Sequence, residues 1–252
     1  MLRWRNLLGA GFVFGLALMA ASAARAVPAL QLDIIGGTYD AATQTVVSNG
    51  PSFTVLALAT ATGNTSSSDI LAETYFLSAA FLSGPAQSAG FNAGSFTVGG
   101  ATVQATDSGL DYGAPPIDAA HNTNLPNHGI FPTYFHEVAF TFDGSDTTAT
   151  YNAQDDAGGG LFDETGSGTF FVKFEVNVAG LAGEVLHFDL YNMTVKKNGD
   201  IKIDDFAPFS HDAQSGSSGV PPTSVEVSEP STIIVIGLGV LALGAARRRK
   251  SA

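Results

Sequence analysis

Two acidic runs hold the side chains best suited to binding chemistry. Asn198, Asp200, Asp204 and Asp205 lie in KNGDIKIDD, and Asn152, Asp155, Asp156, Asp163 and Glu164 lie in NAQDDAGGGLFDE. Clustered hard oxygen donors of this kind suit Ca²⁺, which takes about six to eight of them. Asp155, Asp156, Asp200, Asp204 and Asp205 are therefore the candidate calcium ligands, and no other cofactor is implied. Neither run has the D-x-[DN]-x-[DN]-G-x5-E spacing of an EF-hand loop. The plainer reading is that these are turn residues whose side chains bond nearby backbone N–H groups. His121, His128 and His136 match no compact zinc pattern, and His136-Glu137 lacks the second histidine four positions on from the first. Structural or surface roles suit them better. For catalysis the chain offers no G-x-S-x-G nucleophile turn and no phosphate-binding loop. Gly237-Leu238-Gly239-Val240-Leu241-Ala242 has dinucleotide-site spacing, but without a preceding strand or a later acidic residue it carries no information. A carboxylate pair for glycoside hydrolysis is decided only in three dimensions, so no catalytic residue is assigned.

The stretch that must position these groups is unusually acidic. Residues 27–226 contain 22 of the 23 acidic residues against Lys173, Lys196, Lys197 and Lys202 with no arginine, a net charge of −18. Such a surface repels polyanions, which excludes nucleic acid as a partner. No cysteine is present, so there is no disulfide framework, no thiolate metal site and no cysteine nucleophile. About 200 residues are enough for one sizeable core.

Period-two alternation dominates. Phe170, Val172, Phe174, Val176 and Val178 alternate with Phe171, Lys173, Glu175 and Asn177, the pattern of a strand with one face in the core. The same pattern runs through Leu30-Leu32-Ile34, Phe53-Val55-Ala57, Tyr75-Leu77-Ala79-Phe81, Val138-Phe140-Phe142 and Leu186-Phe188-Leu190, separated by turn-rich SNGP, FDGSDTT and KKNGD. This predicts an all-β fold, a single antiparallel β-sandwich or jelly-roll-like domain over residues 27–209. One short helix, capped by Asp69 over residues 70–74, is the only exception expected. A long proline-rich loop fills residues 107–132. From residue 210 to 226 the Ser/Gly/Pro composition predicts a linker that buries little surface.

The ends are of a different kind. Residues 1–26 read as a signal peptide: Arg3 and Arg5, an apolar stretch from Leu7 to Ala21, and Ala24-Arg25-Ala26 at the small-residue cleavage spacing. Signal peptidase would cut after Ala26. At the other end, an apolar segment at residues 233–246 precedes Arg247, Arg248, Arg249 and Lys250. It falls short of the roughly 20 residues a permanent span needs, and the cations would hold it C-in. Glu229-Pro230-Ser231-Thr232, the apolar helix and the Arg cluster together resemble the PEP-CTERM sorting signal of Gram-negative, exopolysaccharide-producing bacteria. Ser228 stands where that family has its first proline. The resemblance implies that residues 227–252 are processed near Glu229 and Pro230 by an exosortase-like transpeptidase, after transient retention in the inner membrane.

LQLDIIGGTYD, HGIFPTYFHE, YNAQDDAGG, LHFDLYN, KNGDIKI and FAPFSHDAQSG resemble the choice-of-anchor N proteins, bacterial surface proteins grouped by a shared extracellular domain. That resemblance implies exposure on the outer surface and assigns no activity. The reading is an exported surface or matrix protein with a structural or adhesive role, membrane-associated only through its C-terminal segment, with exopolysaccharide as a candidate contact. Two alternatives stay open: a secreted carbohydrate-active hydrolase or glycan-binding module, and a permanently membrane-anchored binding protein.

Overall fold

The computed structural model describes residues 29–63, 65–115, 117–118, 132–156, 158–195, 197 and 201–216. Within them the regular secondary structure is almost all β-strand, arranged in two sheets. The first sheet runs in the order β1 (Leu30–Ile34), β4 (Ser52–Thr60), β12 (Gly168–Asn177), β6 (Asn92–Val98) and β7 (Ala101–Thr106), with β11 (Thr147–Ala149) pairing beside β12. The second runs β2 (Thr38–Asp40), β3 (Thr45–Val47), β15 (Asp212–Gln214), β13 (Leu186–Val195), β5 (Tyr75–Phe81), β10 (Thr133–Phe140), β8 (Asp111–Ala114) and β9 (Ile117–Asp118). A last strand, β14 (Ile201–Phe206), pairs with β13. Pairing is antiparallel except between β15 and β3, which run parallel, so the second sheet is mixed.

The sheets meet through the apolar sets that alternation marks out. Leu32, Val55, Ala57, Phe174 and Val176 of the first sheet share one buried cluster with Val46, Leu77, Ala79, Phe188 and Leu190 of the second. Aromatic rings cross the layer edge to face: Phe53 against Phe188 at 6.0 Å, Phe140 against Phe174 at 5.1 Å. That geometry brings a ring's positive edge to its neighbour's negative face. All the alternating sets seed strands, except that Phe142 and Val178 lie just past the ends of β10 and β12.

Besides the parallel β15–β3 pair and the strands β8 and β9, which lie within the stretch 107–132 expected to be a loop, three features depart from the sequence expectation. The short helix α1 (Ser67–Ala72) is capped by Ser66. Asp69 sits three residues later in a capping box, its carboxylate accepting from the Ser66 N–H at 3.0 Å. Secondly, part of the outer face of the first sheet is covered: Leu56, Leu58 and Phe171 pack with Tyr151 and Phe162 in a second small core, while Lys173, Glu175 and Asn177 farther along β12 are exposed as expected. The segment carrying Tyr151 docks back on β1 through Gly36, whose N–H donates to the Gly159 carbonyl at 3.2 Å. Gly159 has φ +64°, and a Cβ there would lie 2.5 Å from the Gly36 nitrogen, so only glycine lets the two backbones approach.

Thirdly, the folded body does not stop at residue 209. A 3₁₀ turn at Phe209–His211 leads into β15, with Asp212, Ala213 and Ser215 fully buried. The linker expected from residue 210 therefore begins no earlier than residue 217. Among the described residues no helix is long and apolar enough to cross a membrane. The apolar segment 233–246 lies outside them, as do residues 1–28.

Candidate metal centre

Alternation along β13 creates the site. Leu186, Phe188 and Leu190 point into the core, so His187, Asp189 and Tyr191 stand on the opposite face, where all three are also buried. β5 brings Ser78 alongside, opposite Asp189 in the register, and its hydroxyl donates to Asp189 Oδ2 at 3.2 Å. From the other side comes β15, with His187 opposite Gln214 and Phe188 opposite Ala213. Continuing that antiparallel register sets Asp212 opposite Asp189. Aromatic rings flank the group: Tyr191 stacks between Phe76 and Phe206, and its hydroxyl donates to Glu137.

His187 Nε2 lies 3.4 Å from Asp189 Oδ1 and 3.5 Å from Asp212 Oδ2. His187 Nε2, Asp189 Oδ1 and both oxygens of Asp212 are buried with no hydrogen-bond partner among the described residues. Burial disfavours the charged imidazole, but the two carboxylates outweigh it and raise His187 above its ordinary value. Burial in turn raises Asp212, against the pull of His187. The arrangement can hold a proton or a cation; buried this deeply, it presents no nucleophile to a substrate.

A second buried polar group serves as a comparison. Beneath the Tyr151 segment, Gln31 donates to the Tyr151 carbonyl at 2.8 Å and accepts from the Ala153 N–H at 3.0 Å. Asp33 accepts from Tyr151 OH at 2.6 Å and from the Ile34 N–H at 2.7 Å. Nearby, His211 Nε2 meets Asn152 Oδ1 at 3.1 Å. Here the polar side chains have partners, as buried ones ordinarily do, and the network anchors the segment over β1.

The candidate calcium ligands scatter. Asp156 accepts from the N–H groups of Gly160 and Leu161 at 2.8 and 2.9 Å, which is turn chemistry. Asp155 is exposed at the end of a 3₁₀ turn, Ala153–Asp155. Asp204, also exposed, accepts from Thr194 Oγ1 at 2.6 Å, and Asp205 lies on the same strand, half-buried. Asp163 accepts from the Thr165 N–H and hydroxyl, and Glu164 pairs with Lys173. Asp200 lies outside the described residues, as do His121, His128, Ala24, Ala26, Glu229 and Pro230. His136 stands half-buried on β10 with its ring edge-on to Phe96, and burial lowers its pKa.

Among the described residues, the set of three metal-ligating side chains with mutually close donor atoms is His187, Asp189 and Asp212, whose donors all lie within 4.8 Å of one another. Sequence reasoning passed over all three. The one available signal was His-x-Asp within a strand, which puts both side chains on the face opposite Leu186, Phe188 and Leu190.

Comparison with known proteins bears on the chain's C-terminal end. Neither a curated protein nor a solved structure matches it. Residues 226–250 match the PEP-CTERM protein-sorting motif. That motif supports an exported, cell-surface-directed protein processed by an exosortase-like enzyme.

Proposed function

We propose that this chain is an exported β-sandwich module of the choice-of-anchor N type, with a structural or adhesive role at the outer surface of a Gram-negative cell or in its exopolysaccharide matrix. Signal peptidase releases it after Ala26, and an exosortase-like transpeptidase acts near Glu229 and Pro230. The observation that carries the reading is the sorting motif at residues 226–250, which begins ten positions after the last described residue of the folded body, residue 216. So short a connection hands the body over as one piece, with little chain between fold and signal. The body's charge of −18 over residues 27–226 suits a hydrated extracellular setting and keeps it off anionic lipid. The hydrolase alternative draws no support from the carboxylates the fold brings together. The side chains of Asp189 and Asp212 are 0% and 1% exposed, out of reach of any sugar.

The test is accessibility on whole cells of the exporting host. A membrane-impermeant amine reagent applied to intact cells and their matrix should label Lys173 and Lys197 as heavily as it does in the purified protein. Labelling that appears only after the cells are broken open would overturn the assignment to the surface.

A further inference from the structure

We propose that His187, Asp189 and Asp212 bind one divalent transition-metal cation of the Zn²⁺ class, which staples β15 to β13. The first argument is the register. Asp189 and Asp212 face each other across an antiparallel pair, where like charges destabilise, and both are removed from water, where an uncompensated charge is far costlier. A cation between them offsets both charges: a neutral imidazole, two carboxylates and a divalent cation sum to zero.

Distances point the same way. Charge-assisted N–H···O contacts close to about 2.7–2.9 Å, but the two here stand at 3.4 and 3.5 Å. For metal bonds of about 2.0–2.2 Å the edge of a coordination tetrahedron is about 3.4 Å. The two separations from His187 Nε2 thus match the spacing of ligands that share a metal, and the three donor atoms all lie within 4.8 Å of one another. All four unpartnered buried atoms belong to these three side chains, while Gln31 and Asp33, equally buried on the other sheet, are satisfied by named donors and acceptors.

The donor set selects the metal class. One imidazole nitrogen with two carboxylates suits Zn²⁺ and its first-row neighbours. Ca²⁺ requires six or more oxygens, and Mg²⁺ keeps most of its water. Ser78 supplies the support that ligating carboxylates ordinarily have: its bond to Asp189 Oδ2 turns Oδ1 toward His187. The His187 side chain keeps 9% of its surface exposed, whereas Asp189 is fully buried.

The test uses the full chain purified in chelator-treated buffer. Zn²⁺ is titrated in competition with a chromophoric chelator, and thermal unfolding is followed with Zn²⁺, Mn²⁺ or Ca²⁺ added. Wild type should take up one Zn²⁺ per chain, with Tm rising by roughly 5–10 °C at a hundredfold excess over Kd. His187→Gln and Asp212→Asn should weaken binding at least about a hundredfold, and Ser78→Ala by about tenfold. Ser78→Ala removes no ligand, so it keeps the proposal testable should a ligand variant fail to fold. The proposal is overturned if wild type binds no Zn²⁺, if binding survives unchanged in His187→Gln and Asp212→Asn, or if Ca²⁺ raises Tm more than Zn²⁺ does.

Discussion

Burial raises the Asp33 carboxyl to about 7, an effect that its hydrogen bonds from Tyr151 and Ile34 only partly offset. The consequence for stability has a definite sign. In the unfolded chain Asp33 titrates near its ordinary value of 3.8. Between about pH 4 and pH 7 the folded state keeps a proton that the unfolded state has released, so stability falls as pH rises and levels off above about 7. An amide in place of this carboxyl has nothing to titrate. Urea unfolding of wild type and Asp33→Asn from pH 4 to 8 should show the variant gaining on wild type by at most about 4 kcal/mol across that window. Parallel curves would show that Asp33 titrates alike in both states. Residue roles of this kind were only partly legible in the sequence. That Asp156 and Asp163 would bond their own turns followed from residue type, because Asp accepts readily from N–H groups a few positions on. That Asp33 would be buried did not follow, because alternation places it on a face expected to be wet. It is covered by a segment 118 positions away in the chain, through Tyr151.

Among the elements, β15 shows most clearly where composition misleads. SHDAQSG is short, polar and rich in Ser and Gly, and it reads as linker. Yet the strand lies inside the second sheet between β3 and β13, paired on both sides. Backbone pairing on two edges, with Ala213 in the core, gives it order that three residues' propensities do not encode. Hence a chain ending at residue 209 should lose the β2–β3 hairpin's attachment as well as the strand. It should be destabilised by roughly 3–5 kcal/mol, the size of a large core deletion, while a chain ending at residue 216 should unfold at the wild-type Tm. Equal Tm values for the two truncations would show β15 to be dispensable. The long strands were legible for the opposite reason: β12 and β13 are each 10 residues, long enough for period-two burial to show through local noise. The metal centre was hidden because its parts sit on two strands 23 positions apart between Asp189 and Asp212, joined only by register.

At the scale of the molecule, three layers of information sit in separate places: a core between two sheets, an acidic surface, and a basic, apolar C-terminal end that matches a sorting motif. The charge division is sharp, with no arginine anywhere in residues 27–226 and three in residues 247–249. Under the proposed function, cations just beyond an apolar segment would hold that end on the inner side of the membrane with the acidic body outside. Under that proposal, adhesion or scaffolding would rest on the body alone. The most direct measurement is the intact mass of the protein recovered from its exporting host. The account predicts a polypeptide that begins at Val27 and has lost the apolar segment and basic cluster of residues 233–252. Recovery of a mature chain that still carries those residues, stably held in the membrane, would contradict it.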